Sequence, residues 1–166
     1  MIESAVALAL NPATQVKSMR NHVLVDIDHC LSNAFHRDHL LPTDGDWDFY
    51  HSASINDQPI HDMVELISAL SLYGLNIIGI SSRPEKWRAL TQRWLHENNI
   101  QLDELLLRPD NNYQPAADLK HSLAVTRFAP STELRDHILI VIDDREDVLE
   151  RFSIAGITTL QVTARS

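Results

Sequence analysis

Apolar positions along the chain alternate between two spacings. Short, nearly continuous aliphatic runs at Val23–Ile27, Leu75–Ile80, Glu104–Leu107, Ile138–Ile142 and Ile157–Val162 have the length and composition of strands buried on both faces. Between them the spacing widens to the 3.6-residue helical period. Pro59 opens one such stretch, in which Ile60, Met63, Val64, Ile67 and Leu70 share a face and Gly74 supplies the stop. A second begins at Pro84 and sets Trp87, Thr91, Trp94 and Leu95 on one side. Others cover Pro115–Arg127 and Arg145–Ala155, the latter closed by Gly156. Strands alternating with helices predict βαβ units and an α/β, doubly wound parallel sheet in a single domain.

Two stretches follow neither period. Residues 1–22 read as a leader containing a short helix that ends near Pro12, which leaves residues 23–166 as the domain. Residues 31–58 hold Asp44, Asp46, Trp47, Asp48, Phe49 and Tyr50 and read as a small flap beside the carboxyl end of the first strand. In open α/β sheets that edge is where ligands bind. Neither this flap nor the interval from Ile100 to Lys120 is long enough for a large cap, so the expected site is open.

Composition narrows the setting. Hydrophobic residues make up 44% and charged residues 22% of 166, a globular balance with no run long enough to span a membrane. The one cysteine, Cys30, cannot form an internal disulfide, which points to a reducing compartment and hence the cytoplasm. A net charge of −9 excludes broad coating of a nucleic-acid backbone while leaving room for a local basic edge.

The chemistry sits at the strand ends. Asp26 and Asp28 follow the first strand, Ser81, Ser82 and Arg83 the second, and Asp143 and Asp144 the fourth, with Asp147 one turn on; Lys120 lies early in a helix. Three carboxylates gathered within ~4 Å repel by several kcal/mol even at an effective dielectric near 20, so such a cluster must hold a cation or stay partly protonated. All-oxygen ligands from few carboxylates suit Mg²⁺.

The order DIDHCL, ISSRPE, Lys120 and VIDDREDVLERF resembles the four motifs of the haloacid dehalogenase superfamily. Within it, Val23 to Val162, including LLLRPDNNYQPAADLK, is most similar to the 3′-phosphatase domains of phage polynucleotide kinase-phosphatases. The resemblance implies Asp26 as nucleophile, Asp28 as general acid and then base, and Ser81 and Lys120 as phosphate holders. It further implies Asp26, Asp28, Asp143 and Asp144 around Mg²⁺, with Ser82, Arg83 and Arg108 on the substrate side. A helix starting at Ser82-Arg83-Pro84 would turn its amino terminus toward a bound anion. The chain departs from the pattern at His29-Cys30, where the superfamily has Gly-Thr, and at Ala116-Ala117, where the polynucleotide enzymes are acidic.

The implied activity is Mg²⁺-dependent phosphomonoester hydrolysis on a phosphorylated nucleic-acid end, with a nucleotide monophosphatase as the near alternative. A stripe of Arg83, Lys86 and Arg93 beside the phosphate pocket favours the former. No GxxxxGK[ST] loop is present, so this chain carries no kinase domain. A cysteine phosphatase would need arginine six positions after Cys30, where His36 stands and Arg37 comes one late. His61-Asp62 invites a helical HD-type hydrolase, which the strands contradict. A receiver-like phosphoacceptor, or a degenerate binding domain, uses similar residues, but a receiver places its acidic pair before the phosphoacceptor, whereas here DxD comes first and DD last.

Overall fold

The computed structural model describes residues 20–43, 47–130 and 133–163. The leader helix expected before Pro12, and Asp44 and Asp46 of the flap, lie outside these residues. In chain order the elements are β1 (His22–Val25), β2 (Ser32–Asn33), α1 (Asp48–Ser52), β3 (Gln58–Pro59), α2 (His61–Leu72) and β4 (Asn76–Pro84). Then follow α3 (Arg88–Glu97), β5 (Glu104–Arg108), α4 (Ala116–Phe128), β6 (Ile138–Asp143), α5 (Glu146–Ile154) and β7 (Thr158–Gln161).

Five strands form one parallel sheet in the order β5-β4-β1-β6-β7. Because successive strand side chains point to opposite faces, β1 sends Leu24 into one core and Val23 and Val25 into the other. The first core packs against Ala124 and Phe128 of α4 and Val148 and Phe152 of α5. The second packs against Ile67 of α2 and Trp94 and Leu95 of α3. Helices therefore cover both faces, as the alternation predicts. Gly74 (φ 98°) and Gly156 (φ 76°) end α2 and α5 in the left-handed region, where a side chain would be strained.

Chain direction around β1 positions the site. The chain leaves β1 toward β4 and β5, returns through α4 to β6 on the other side of β1, and continues outward to β7. The strand ends of β1 and β6 thus flank a switch point, the place where a doubly wound sheet opens a crevice.

Two local expectations change. Pro59 does not open α2; it pairs with Ser32 in a two-residue antiparallel ribbon that closes the flap at its base, and the helix starts at His61. Ser81–Pro84 do not start a helix but remain in β4, where Pro84 still has Arg108 as its neighbour in β5, and only a 3₁₀ turn (Glu85–Trp87) precedes α3. The helix amino terminus therefore lies beyond the Ser82–Arg83 pair rather than at it. Within the flap, 3₁₀ turns at Phe35–Leu40 and Ala53–Asn56 surround α1. No second lobe stands over the crevice among the described residues.

Candidate active site

Asp26 extends the β1 ladder by one residue, its amide donating to the Ile142 carbonyl at 2.9 Å. The chain then coils back on itself. Amides of Cys30, Leu31 and Ser32 all converge on the Ile27 carbonyl at 3.3, 2.9 and 2.8 Å, and His29 takes a left-handed conformation (φ 61°) where the superfamily has glycine. This tight turn aims Asp26 and Cys30 into the crevice while sending Asp28 toward the flap.

Lys120 enters from the second turn of α4 and is 1% exposed. Its ammonium lies 2.8 Å from Asp26 Oδ1 and 2.7 Å from Asp143 Oδ2. The other Asp143 oxygen accepts the Arg145 amide at 3.0 Å. Asp144 follows, half-buried, on the open side. Single carboxylate oxygens of Asp26 and Asp144 and the sulfur of Cys30 all lie within 4.8 Å of one another.

Charge in this cluster does not balance. Asp26, Asp143 and Asp144 face one ammonium, so three negative charges meet one positive. Burial, only partly opposed by Lys120 and reinforced by Asp143 and Asp28, raises the Asp26 carboxyl to about 7. Burial also raises Asp143, against the pull of Lys120, and raises Asp144 with help from Asp26. The Lys120 ammonium is favoured the other way: burial would lower its pKa, but Asp26 and Asp143 more than offset that. A divalent cation would supply the missing two positive charges, and Asp26 and Asp144 are the donors that could share it.

Asp28, expected at the cation, turns its carboxylate the other way, into a second cluster that the sequence does not announce. Arg83 reaches it through Nε at 3.1 Å and a terminal nitrogen at 2.7 Å, and Arg37 also bonds it. Both guanidiniums share Asp57: Arg37 binds it in bidentate fashion at 2.8 and 2.7 Å, and Arg83 lies at 3.3 Å. His36 adds a 2.8 Å contact to Asp57, and Trp94 donates to the Asp57 carbonyl at 2.8 Å. Burial works to raise the Asp28 carboxyl, but Arg83 and then Arg37 hold it well below the usual carboxylate range.

Arg83 is therefore fully buried, not part of an exposed stripe, and donates to Thr91 Oγ1 at 3.3 Å as well. The remaining stripe residues are also paired: Arg93 with Glu97 at 2.8 Å on its own helix, and Lys86 with Asp48 of the flap. Ser81 is buried, its hydroxyl accepting the Arg83 amide at 3.2 Å, while the Ser82 hydroxyl is buried without a partner among the described residues. Arg108 bonds the Ser82 carbonyl at 3.0 Å and the Asn112 and Gln114 carbonyls at 3.1 and 2.8 Å, so it ties the loop after β5 to β4.

The flap docks through its rings. His51 lies between Trp47 at 6.0 Å and Trp87 at 6.4 Å, and Arg37 stacks 4.2 Å above Tyr50. Burial lowers the His51 pKa to about 4, so the ring is neutral at pH 7. A cavity of about 490 Å³ lined by Arg88, Gln92 and His96 lies instead by the amino-terminal end of β5, at the opposite sheet edge from the acids.

A doubly wound sheet with a buried acid–lysine–acid cluster at its switch point defines a haloacid dehalogenase-type phosphatase. Residues 20–165 match the family of polynucleotide kinase (PNKP) phosphatase domains, and the chain belongs to it. Among solved structures, one of a Pnkp1/Rnl/Hen1 complex is similar at 22% identity and a TM-score of 0.74, over 98% of this chain and 52% of that one. The chain thus spans about half the length of that protein. Two hydrolases share the fold at lower similarity. A haloacid dehalogenase-like protein from Streptococcus pneumoniae has 15% identity and a TM-score of 0.59, over 86% of this chain and 84% of that one. The magnesium-bound hydrolase YfnB from Bacillus subtilis has 12% identity and a TM-score of 0.57, over 86% of each chain. No curated protein sequence matches the chain. No described helix is long and apolar enough to cross a membrane.

Proposed function

We propose that this domain removes a terminal 3′ phosphate from a polynucleotide, using Asp26 as nucleophile and Mg²⁺ as cofactor. The observation that carries the reading is the unbalanced cluster of Asp26, Asp143 and Asp144 around Lys120 at the switch point. Bound Mg²⁺, held by Asp26 and Asp144, would supply charge neutralisation of the phosphate oxygens. Asp26 attacks phosphorus, the bond to the leaving sugar oxygen breaks, and an aspartyl-phosphate forms. Lys120 orients the attacking carboxylate, and Ser81 and Ser82 line the β4 side of the phosphate position. Water then attacks phosphorus, restoring Asp26 and releasing inorganic phosphate.

Asp28 handles the proton. Its ionised form, held by Arg37 and Arg83, suits the second half-reaction, in which it accepts a proton from water. In the first half-reaction Asp28 takes up a proton from solvent, against the pull of the two guanidiniums, and gives it to the leaving alkoxide.

The polynucleotide assignment is supported by family membership, by the RNA repair complex in which a similar structure occurs, and by exposed rings at the site's edge. Trp47 and Phe49 on the flap and Tyr113 in the loop after β5 are 45%, 67% and 89% exposed. Exposed rings of this kind can stack successive bases, each stack being worth ~1–3 kcal/mol. The pairing of Arg83, Lys86 and Arg93 removes the basic stripe as support and favours, as a second reading, a nucleotidase. Comparison of kcat/KM for a 3′-phosphorylated oligonucleotide, a 3′-mononucleotide and a 5′-mononucleotide decides between them. The oligomer should be preferred, and Phe49→Ala/Tyr113→Ala should raise KM for the oligomer alone. Equal turnover of all three, unaffected by the double substitution, leaves the nucleotidase.

A further inference from the structure

The proposed hydrolysis makes no use of Cys30, although its thiol is built into the site. Cys30 is fully buried and free, and its sulfur makes no hydrogen bond among the described residues. The backbone fixes its direction, because the turn at His29 and the three amides on the Ile27 carbonyl leave the side chain facing Asp26 and Asp144. Sulfur is a poor donor to Mg²⁺ but a preferred one for Zn²⁺, Co²⁺ and Cd²⁺. Donors to one such ion, at ~2.0–2.3 Å from it, stand no more than ~4.5 Å apart. The 4.8 Å spread of the Asp26, Cys30 and Asp144 atoms therefore closes on an ion with a small side-chain shift.

We propose that Cys30 turns the cation pocket into a mixed oxygen–sulfur site, in which Asp26, Asp144 and the Cys30 thiolate together capture a soft or borderline divalent cation in competition with Mg²⁺. Capture forms one metal–sulfur bond, releases the thiol proton to solvent and involves no electron transfer. It also displaces Mg²⁺ from between Asp26 and Asp144, so such cations inhibit Mg²⁺-supported hydrolysis. The inference rests on the reading that Asp26 and Asp144 hold Mg²⁺, and adds to it a selectivity that an oxygen-only site lacks.

Titration of the full chain with Co²⁺, without substrate, gives a direct readout. The wild type should develop a near-ultraviolet sulfur-to-cobalt charge-transfer band that is absent from Cys30→Ser and Cys30→Ala. By calorimetry, the ratio of Cd²⁺ to Mg²⁺ affinity should fall at least ~10-fold in either variant, because the lost sulfur serves Cd²⁺ and not Mg²⁺. Thermal unfolding of both variants establishes that they are folded. Co²⁺ binding without the band, or an unchanged Cd²⁺ to Mg²⁺ ratio, overturns the proposal. Either result leaves the hydrolytic reading standing, because that reading fails on a different outcome, full phosphate release from wild type in excess chelator.

Discussion

Two buried ionic clusters meet at the carboxyl edge of the sheet, and they differ in charge balance. Around Asp28 and Asp57, two carboxylates face the two guanidiniums of Arg37 and Arg83, and nearly every oxygen has a donor. Around Lys120, three carboxylates face one ammonium. A balanced, hydrogen-bonded cluster holds a geometry; it ties the flap to β4 and α3 and fixes Asp28. An unbalanced one stores electrostatic repulsion that a divalent cation would relieve, and a cation held there would in turn offset the charge of a phosphate.

Removing the attacking carboxylate should have the largest effect. Asp26→Asn is expected to lower kcat/KM on every phosphomonoester by at least ~10⁴, about 5.5 kcal/mol of transition-state stabilisation. Asp28→Asn should instead spare an activated aryl phosphate relative to an alkyl one, since only the alkyl leaving group needs the proton. Equal, mild losses on both substrates would show that these acids do not divide the labour in this way.

In the balanced cluster the damage should fall on folding. Asp57→Ala leaves Arg37 and Arg83 with one carboxylate between them, and breaking a buried pair in this way costs ~3–5 kcal/mol. Denaturant unfolding should register that loss, whereas Arg93→Ala, which breaks an exposed pair with Glu97, should change stability by less than ~0.5 kcal/mol. Similar values for the two would remove the distinction between built and incidental ion pairs.

The clusters also predict opposite responses to pH. Asp26 has a folded-state pKa of about 7 against an ordinary value of 3.8, so the folded chain keeps a proton that the unfolded chain has lost. Its contribution to stability is therefore present below pH ~4 and declines as pH rises to ~7. Asp28, held low by its arginines, contributes in the reverse sense: its share is present above the ordinary carboxylate range and is lost as pH falls through its folded value. Without divalent cations, Tm between about pH 5 and about pH 8 should fall more steeply for wild type than for Asp26→Asn, and Mg²⁺ should flatten the wild-type curve. Parallel curves would mean that Asp26 is not the strained group.

The two clusters were unequally legible in the sequence. The sheet, its helices and the acids at its edge could be read because parallel strands buried on both faces appear as continuous apolar runs, and each polar residue that ends one is conspicuous. Lys120 fitted the same frame from its place in α4. The second cluster left no such trace. Arg37 and Asp57 lie in the aperiodic flap, 20 positions apart, and are brought together by tertiary contacts that no local spacing encodes. Arg83 was visible, but its neighbours made a basic stripe look exposed; only the partners Asp28 and Asp57 explain its burial. Cys30 was visible as a departure from Gly-Thr, and its place beside Asp26 and Asp144 emerges only once the turn at His29 is folded.

The central claim is that charge imbalance, not acidity in general, marks where the cation acts. The Mg²⁺ concentration giving half-maximal phosphate release, measured for wild type, Asp144→Asn and His36→Gln, tests it most directly. Asp144 belongs to the unbalanced cluster, and its loss should raise that concentration at least ~10-fold. His36 bonds Asp57 of the balanced cluster, and its replacement should leave the value unchanged. An equal shift in both variants, or none in Asp144→Asn, would contradict the account.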